Sequence, residues 1–547
     1  MRFLIAALAL AAPALASAAP IAGMNPIASD PVRTESGAVA GTRLASGVRA
    51  YLGIPFAVPP VGPLRWAAPQ PARWTGLWNA DRRGPECIQV LRPHDINHYF
   101  GEEPTSEDCL FLNLWAPAAA TARSRLPVVV FLYGGGFTIG SSGMANYDGE
   151  QVARAGAIFV NFNYRVGALG FMAHPELSRE QGGHSGNYGL MDQVAALRWV
   201  RANIARFGGD PDKVLIVGQS AGAASVAAHI FSPLSRNLFR AGAMLSGCNY
   251  TSDGPSLDQA ERIGVQVQER LGARSLAALR DIPADRILAI QTENQVGARV
   301  EGIRINGPIV DGYVLPGPKR ALLQAGAVSR VPIIAGYTTD DIDIPTNPIS
   351  AAANVGQFRS IARNLYGESA DEFLRLYPVS RDADLRDVAR EAARTAGFES
   401  SARYCAAAQG RLGAPAWLIQ FDRTHPYVLG VRIADQNIET IGAYHTSDVP
   451  YWFGTLDRYN LRRPTRAWTA WDRRLSAAMV DFLISFAATG RPRAAGMDWP
   501  AWSPGAERKL VVGDRAHVEA LNVERMDWHA GHPLPTPFDS RPSRPRD

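Results

Sequence analysis

Residues 207–222 read FGGDPDKVLIVGQSAG and constrain the fold of this chain more than any other stretch. Residues 214–217 form a short apolar, mostly β-branched run, which predicts a strand buried on both faces of a parallel sheet. The pentapeptide GQSAG follows at once, and the small apolar residues of 223–230 predict a helix. A strand, a G-x-S-x-G turn and a helix together predict a nucleophile elbow, which holds Ser220 in strained backbone geometry with its hydroxyl exposed.

The pentapeptide alone is a weak signal, since a glycine-rich turn that merely packs a helix against a sheet has a similar composition. The buried strand before it and the helix after it favour the catalytic interpretation. Ser220 is therefore the candidate nucleophile.

A second glycine-rich turn lies about 85 residues earlier. Residues 126–133 predict another buried strand, which ends in three glycines at 134–136. These glycines are compatible with a plain flexible turn. Ahead of a nucleophile elbow, they favour an oxyanion hole formed by the backbone N–H groups of Gly135, Gly136 and Ala221.

The organisation of the chain indicates an α/β protein. A predicted strand at 157–164 and an amphipathic helix at 190–207 continue an alternation of strands and helices, which predicts a mostly parallel sheet. A length of 547 residues with 46% apolar and 20% charged residues fits one large sheet with insertions. The formal net charge of +5 comes from scattered arginines, and the basic tail at 541–546 is interpreted as a solvated end, so we expect no nucleic-acid partner.

The first 18 residues have the pattern of a secretory signal. One arginine precedes an apolar run, and Ala16-Ser17-Ala18 forms an A-x-A cleavage site. No later run reaches the roughly 18 residues that a transmembrane helix needs. We expect residues 1–18 to be removed and residues 19–547 to form a single soluble domain in the periplasm or outside the cell.

Export makes disulfides permissible, and the chain has four cysteines. Cys87 and Cys109 are close in sequence and flank a polar loop, so they are the predicted pair. Closing such a loop is expected to stabilise the fold by about 3 kcal/mol. Whether Cys248 and Cys405 pair or remain buried thiols stays open at this point.

Several longer motifs resemble the type-B carboxylesterase family, which includes bacterial carboxylesterases, fungal lipases and cholinesterases. The resemblance covers roughly residues 32–506 and implies an α/β-hydrolase fold, with a large mainly parallel sheet flanked by helices. Insertions after residue 249 and around 346–440 would then form the walls of an active-site cleft. The motifs that carry it are GIPFAVPPVGPLR at 53–65, EDCLFLNLW at 107–115, NYRVGALGF at 163–171, GNYGLMDQVAALRWV at 186–200 and FGGDP at 207–211.

The resemblance also implies the partners of Ser220. The segment GAYHTSD at 442–448 resembles the family's G-x-x-H-x-x-D/E loop, which makes His445 the candidate base. The segment at 336–341 resembles G-x-x-x-D-E-G and makes Asp341 the candidate acid, although Asp is present where Glu is more usual. Asp340 and Asp343 remain close enough to compete for this role.

Departures from the family pattern bear on the substrate. Gln219 replaces the glutamate that often precedes the nucleophile, and the loop between Cys87 and Cys109 lacks the tryptophan with which cholinesterases hold a quaternary ammonium. Both changes argue against a cholinesterase. The loop after Cys87 is also short and only modestly apolar, which favours a hydrolase of soluble esters, so we expect short-to-medium neutral or anionic carboxylic esters as substrates. A triacylglycerol lipase is the alternative, and a non-catalytic binding protein of the same fold is a third. No motif predicts a metal or another cofactor.

Overall fold

The computed structural model describes residues 25–90, 104–291, 303, 305, 307–341, 348–434 and 436–533. The predicted signal at 1–18, the alternative acid Asp343 and the basic tail at 541–546 lie outside these ranges. Within them, no helix is long and apolar enough to cross a membrane.

The strands of the described chain are numbered in order. They are β1 (Asn25–Pro26), β2 (Val32–Arg33), β3 (Ala38–Ala40), β4 (Thr42–Arg43), β5 (Arg49–Pro55), β6 (Leu77–Asn79), β7 (Glu86–Cys87), β8 (Thr105–Ser106), β9 (Phe111–Ala116), β10 (Leu126–Leu132), β11 (Ile158–Phe162), β12 (Gly209–Gln219), β13 (Ala241–Leu245), β14 (Ile333–Thr338), β15 (Ala416–Phe421), β16 (Arg508–Val512) and β17 (Ala516–Ala520).

The α-helices are numbered in the same way. They are α1 (Glu150–Arg154), α2 (Gly167–Phe171), α3 (Pro175–Glu180), α4 (Tyr188–Asn203), α5 (Ala221–Phe231), α6 (Leu257–Arg270), α7 (Leu276–Arg280), α8 (Ala284–Ala289), α9 (Lys319–Gln324), α10 (Val355–Tyr366), α11 (Ala370–Leu376), α12 (Asp382–Arg394), α13 (Ser400–Arg411), α14 (Val449–Trp452), α15 (Ala470–Thr489) and α16 (Val523–Gly531).

Twelve strands form the central sheet, in the order β1-β4-β5-β9-β11-β10-β12-β13-β14-β15-β16-β17. The strands from β11 to β16 in this order pair in parallel, whereas pairing is antiparallel at both edges. The side chains at the interior positions of β10 and β12 are fully buried, because helices cover both faces of the sheet. The sheet is therefore mainly parallel, as the alternating pattern predicts.

The predicted elements differ from the observed ones mainly at their ends. Strand β12 is longer than the predicted run at 214–217, since its first residues pair with β10 at Leu126. Helix α4 begins at Tyr188 and ends at Asn203, and a 3-10 turn at Ile204–Phe207 completes the predicted helical segment. Helix α4 is also buried on most of its surface rather than on one face.

The second predicted insertion is smaller than expected. Residues 416–421 form β15 inside the central sheet, so the region around 346–440 is only partly an insertion. Helices α10, α11 and α12 make up the inserted part and, with Trp528 of α16, form a hydrophobic cluster that includes Phe358, Phe373 and Leu385. This cluster is separate from the main core around the sheet.

The structure pairs all four cysteines. The sulfur atoms of Cys87 and Cys109, the pair predicted from sequence, lie 2.05 Å apart. Cys248 and Cys405 are also at disulfide distance, with sulfur atoms 2.03 Å apart, which answers the question that the sequence left open. The second bridge ties the segment after β13 to helix α13, over a separation of 157 residues.

Candidate active site

Ser220 occupies a strained turn between β12 and α5. Its φ of 58° and ψ of −123° define a backbone conformation that residues other than glycine rarely adopt. Its backbone N–H donates to the carbonyl of Leu245 at 2.8 Å, which ties the turn to the end of β13. A Cβ atom at Gly222 would lie 2.0 Å from the carbonyl oxygen of Leu132, so only glycine fits there. The turn thus has the geometry predicted for a nucleophile elbow.

Three backbone N–H groups lie in the two turns that the sequence singled out. In the described chain, those of Gly135, Gly136 and Ala221 donate no hydrogen bond. Gly135 has a φ of 115°, and a Cβ there would lie 2.2 Å from the carbonyl oxygen of Ile139, so this turn also requires glycine. Unbonded amides at the ends of adjacent parallel strands are suited to binding an anionic oxygen.

Asp341 and His445 are in direct contact. The Nδ1 atom of His445 lies 2.6 Å from Oδ1 of Asp341, and Oδ2 of Asp341 accepts the backbone N–H of Thr338 at 3.2 Å. Asp341 is only 1% exposed, whereas the His445 side chain is 35% exposed. A buried carboxylate facing Nδ1 favours the tautomer with the proton on Nδ1, which leaves a lone pair on Nε2.

Asp340, one of the two alternative acids, faces away from His445. Its backbone N–H donates to the carbonyl of Ala443 at 3.0 Å, and its Oδ2 accepts the N–H of Ala443 at 2.8 Å. The guanidinium of Arg390 donates to its other carboxylate oxygen. Asp340 thus fastens the segment that carries His445 to the end of β14, next to Asp341.

Gln219 lies beside the imidazole of His445. The Nε2 atom of Gln219 is 3.3 Å from Nε2 of His445, and the Gln219 side chain is buried. An amide N–H can donate to this nitrogen only when it carries a lone pair, which agrees with the tautomer set by Asp341. Glutamate at this position would place a negative charge against the same nitrogen.

Two further residues near His445 were not assigned a role from sequence. Asp448 belongs to the loop motif, and its burial, reinforced by the nearby negative charge of Asp341, raises its pKa to about 6. The ring of Phe398 lies 5.8 Å from that of His445 and is part of a π-helical turn at Thr395–Glu399. Such turns recur at functional sites, but nothing in the sequence of this segment signals one.

Two other histidines, His229 and His425, have hydrogen-bonding partners outside the candidate site. Both ring nitrogens of His229 are hydrogen-bonded at 2.8 Å, to Ser235 and Gln193, and burial lowers its pKa to about 3. Nε2 of His425 lies 2.8 Å from the carbonyl oxygen of Ser447. Within the described ranges, no group of three His, Cys, Asp or Glu side chains is placed to hold a metal ion.

The sequence of the chain is similar to those of known esterases. A profile described as the carboxylesterase family matches residues 28–527. The chain is 34% identical over 497 residues to the fumonisin B1 esterase of Sphingopyxis macrogoltabida, a match that covers 90% of this chain and 88% of that protein. It is 32% identical over 497 residues to the para-nitrobenzyl esterase of Bacillus subtilis (strain 168), with 89% and 96% covered.

Solved structures give the same result. A thermophilic para-nitrobenzyl esterase aligns with a TM-score of 0.74 and 31% identity, over 91% of this chain and 99% of its own length. A second para-nitrobenzyl esterase aligns with a TM-score of 0.72 and 30% identity, over 91% and 99%. The predicted α/β-hydrolase fold is therefore confirmed.

Proposed function

Because the chain belongs to the carboxylesterase family and is a carboxylesterase, we propose that it cleaves short-to-medium carboxylic esters, neutral or anionic, through an acyl-enzyme on Ser220. The observation that carries this proposal is the 2.6 Å contact between Asp341 and His445, beside a strained serine turn. A serine hydroxyl needs an oriented imidazole base to attack an ester at neutral pH.

In the first half-reaction, Ser220 Oγ attacks the ester carbonyl while Nε2 of His445 takes the hydroxyl proton. Asp341 holds the imidazole in the tautomer with Nδ1–H and stabilises the imidazolium that forms. The N–H groups of Gly135, Gly136 and Ala221 stabilise the negative charge on the carbonyl oxygen. His445 then protonates the leaving alcohol as the C–O bond breaks.

In the second half-reaction, a water molecule replaces the alcohol. His445 takes a proton from this water, which attacks the acyl carbonyl, and the tetrahedral intermediate is bound by the same amides. Collapse of the intermediate breaks the bond to Ser220 Oγ, which recovers its proton from His445. The products are the free acid and the original enzyme.

The proposed substrate range rests on the departures from the family pattern. Gln219 places an uncharged amide beside the imidazole, so the site presents no extra carboxylate to repel an anionic substrate. The similar proteins are named for different esters, among them fumonisin B1 and para-nitrobenzyl esters. Family membership alone therefore leaves the substrate open.

A chain-length series tests the proposal. Purified protein is assayed with p-nitrophenyl esters from acetate to palmitate and with emulsified triglyceride. We expect highest kcat/KM on short and medium chains, and a burst of p-nitrophenol that the Ser220→Ala variant lacks. Preference for long-chain emulsions would instead favour a lipase. An unchanged burst in Ser220→Ala, with the fold verified by circular dichroism, would contradict the assignment of the nucleophile.

We also propose that the protein is exported and matures by cleavage after Ala18. Two cysteine pairs at disulfide distance suit an oxidising compartment. N-terminal sequencing of protein from a secreting host tests this, and a mature chain that retains Met1 would contradict it.

A further inference from the structure

A cavity of about 170 Å³ adjoins the two turns of the candidate site. Its lining is mostly apolar and includes Phe137, which directly follows Gly136, and Ala224 and Ala228 on helix α5. Ser220, Asp341 and His445 are not among its lining residues, so the cavity lies beside the candidate site rather than at its centre. One cationic side chain, Lys319, lines it.

Lysine is rare in this chain: only three of its 56 basic residues are lysines. The other two have carboxylate partners, since Lys213 lies 3.3 Å from Asp210 and the buried Lys509 lies 2.9 Å from Glu399. In the described part of the chain, no carboxylate oxygen is within 4.0 Å of the Lys319 ammonium. Lys319 is thus the one lysine without an ion pair there.

The ammonium of Lys319 has unused hydrogen-bonding capacity. Its Nζ donates to the backbone carbonyl of Ser252 at 2.6 Å, and an ammonium carries three N–H donors. Burial lowers its pKa to about 8, partly offset by the negative charge of Asp253, so it is mostly protonated at pH 7. A charge held against apolar walls is costly unless a partner of opposite sign reaches it.

Asp253 does not supply that partner. Its Oδ1 accepts the backbone N–H of Lys319 at 2.9 Å, which fixes the start of α9, and in the described chain neither of its carboxylate oxygens lies within 4.0 Å of Nζ. Asp253 nevertheless lines the same cavity and opposes the approach of an anion. The two side chains therefore have opposite effects on an anionic ligand. Removing the charge of Lys319 should weaken its binding, whereas removing the charge of Asp253 should strengthen it.

We propose that this cavity is a specificity site for esters that carry a free carboxylate, which binds the ammonium of Lys319. This inference rests on the proposed function, since it identifies the class of substrate that the same site prefers. The apolar walls contact the chain of the substrate, and Lys319 binds its anionic end. A carboxylate is the matching group, because it accepts charge-assisted N–H donors.

The lining residues on α5 give the range of substrate lengths to test. Ala224 and Ala228 are four and eight residues beyond Ser220, hence about 6 and 12 Å along the axis of α5. A carboxylate in the cavity would then be separated from the ester carbonyl by roughly four to eight carbon atoms, at about 1.3 Å per carbon of an extended chain. Half-esters of adipic to sebacic acid span this range.

The test compares p-nitrophenyl half-esters of these dicarboxylic acids with p-nitrophenyl monocarboxylic esters of the same chain length. The quantity measured is the ratio of kcat/KM for the anionic ester to that for the neutral ester. We expect Lys319→Met to lower this ratio at least about tenfold, because the variant removes the charged partner. We expect Asp253→Asn to raise it about threefold, because its amide keeps the hydrogen-bond acceptor for the backbone without the charge.

Lys213→Met is the matched control, since it removes a lysine charge from a partly exposed position that does not line the cavity. A second pair of substrates, 4-butyryloxybenzoate and phenyl butyrate, carries the charge on the alcohol side. If the kcat/KM ratio of one substrate pair changes in Lys319→Met, that pair identifies whether the acyl side or the alcohol side of the ester enters the cavity.

The proposal is overturned if Lys319→Met changes neither ratio more than twofold, or if Lys213→Met changes them equally. It is also overturned if Asp253→Asn lowers the ratio, and this variant remains informative should Lys319→Met fold poorly. Failure of the proposed function is distinct, because the wild-type protein would then show no Ser220-dependent hydrolysis of the neutral esters.

Discussion

The substitution Asp341→Asn tests the acid and the tautomer of the imidazole together. Oδ2 of Asp341 accepts the backbone N–H of Thr338, and Oδ1 faces Nδ1 of His445. An asparagine side chain must keep its oxygen toward Thr338, because its NH2 group cannot accept a hydrogen bond. The NH2 group then faces Nδ1 of His445 and selects the tautomer with the proton on Nε2.

An imidazole with a proton on Nε2 cannot take the proton of Ser220. The variant also loses the negative charge that stabilises the imidazolium, in a position that is only 1% exposed. A comparable change in serine proteases lowers kcat by about 10⁴-fold, which corresponds to about 5 kcal/mol in the activation free energy. We expect a loss of this size, with substrate binding affected far less.

Asp340→Asn is the matched control, since Asp340 is the adjacent residue and is an aspartate whose side chain is only 14% exposed. Its carboxylate contacts Arg390 and the backbone of Ala443 rather than the imidazole. We expect less than a tenfold loss of kcat in this variant. Both are measured by single-turnover release of p-nitrophenol, with the fold verified by thermal unfolding.

A loss below tenfold in Asp341→Asn would refute this reasoning. So would a greater loss in Asp340→Asn than in Asp341→Asn, which would move the role of the acid to Asp340. If neither variant is impaired, Asp343 becomes the remaining candidate and its asparagine variant is the next measurement.

Three other predictions concern the surroundings of the site. Gln219→Glu places a negative charge beside His445, so it should raise the pKa of His445 and move the acidic limb of the pH profile of kcat/KM upward by about one pH unit. An unchanged acidic limb would contradict the contact between Gln219 and His445. Asp448 keeps its proton to higher pH when folded than when unfolded, so its contribution to stability should fall by about 3 kcal/mol from pH 4 to 6 and stay constant above. Urea unfolding of Asp448→Asn should lack this decline, and an identical pH dependence in both proteins would refute it. Replacing Cys248 and Cys405 by serine should lower the free energy of unfolding by up to about 5 kcal/mol, because the bridge closes a loop of 157 residues; an unchanged unfolding midpoint would contradict this.

The serine turn could be predicted because its requirements are local. A strand, a strained residue and a helix follow one another within the 23 residues from 209 to 231, and each affects the local composition. The acid could not be separated from its neighbour in the same way. Asp340 and Asp341 differ by one position, and only the contacts of Arg390, Ala443 and His445 distinguish them.

Other features depend on contacts between distant segments. The pairing of Cys248 with Cys405 is one, since nothing in either local sequence indicates the other. Strand β15 is another, because it lies within a region that the sequence suggested was an insertion. The cavity around Lys319 combines segments from residues 137 to 319, and a single lysine after a proline predicts neither its burial nor its lack of an ion pair.

The bond between Asp340 and Ala443 has a consequence for how proteins of this design can diverge. The hydrogen bonds between Asp340 and Ala443 hold the two ends of segment 341–442 next to each other. The segment therefore begins and ends at the same place in the fold. Helices α10 to α12 within this segment form, with Trp528 of α16, a separate hydrophobic cluster. Since lengthening a closed loop costs little entropy, this lobe can be enlarged or trimmed away from the Arg390 contact with Asp340 while the carboxylate and the imidazole keep their separation. New substrate preferences can therefore arise here without rebuilding the chemistry.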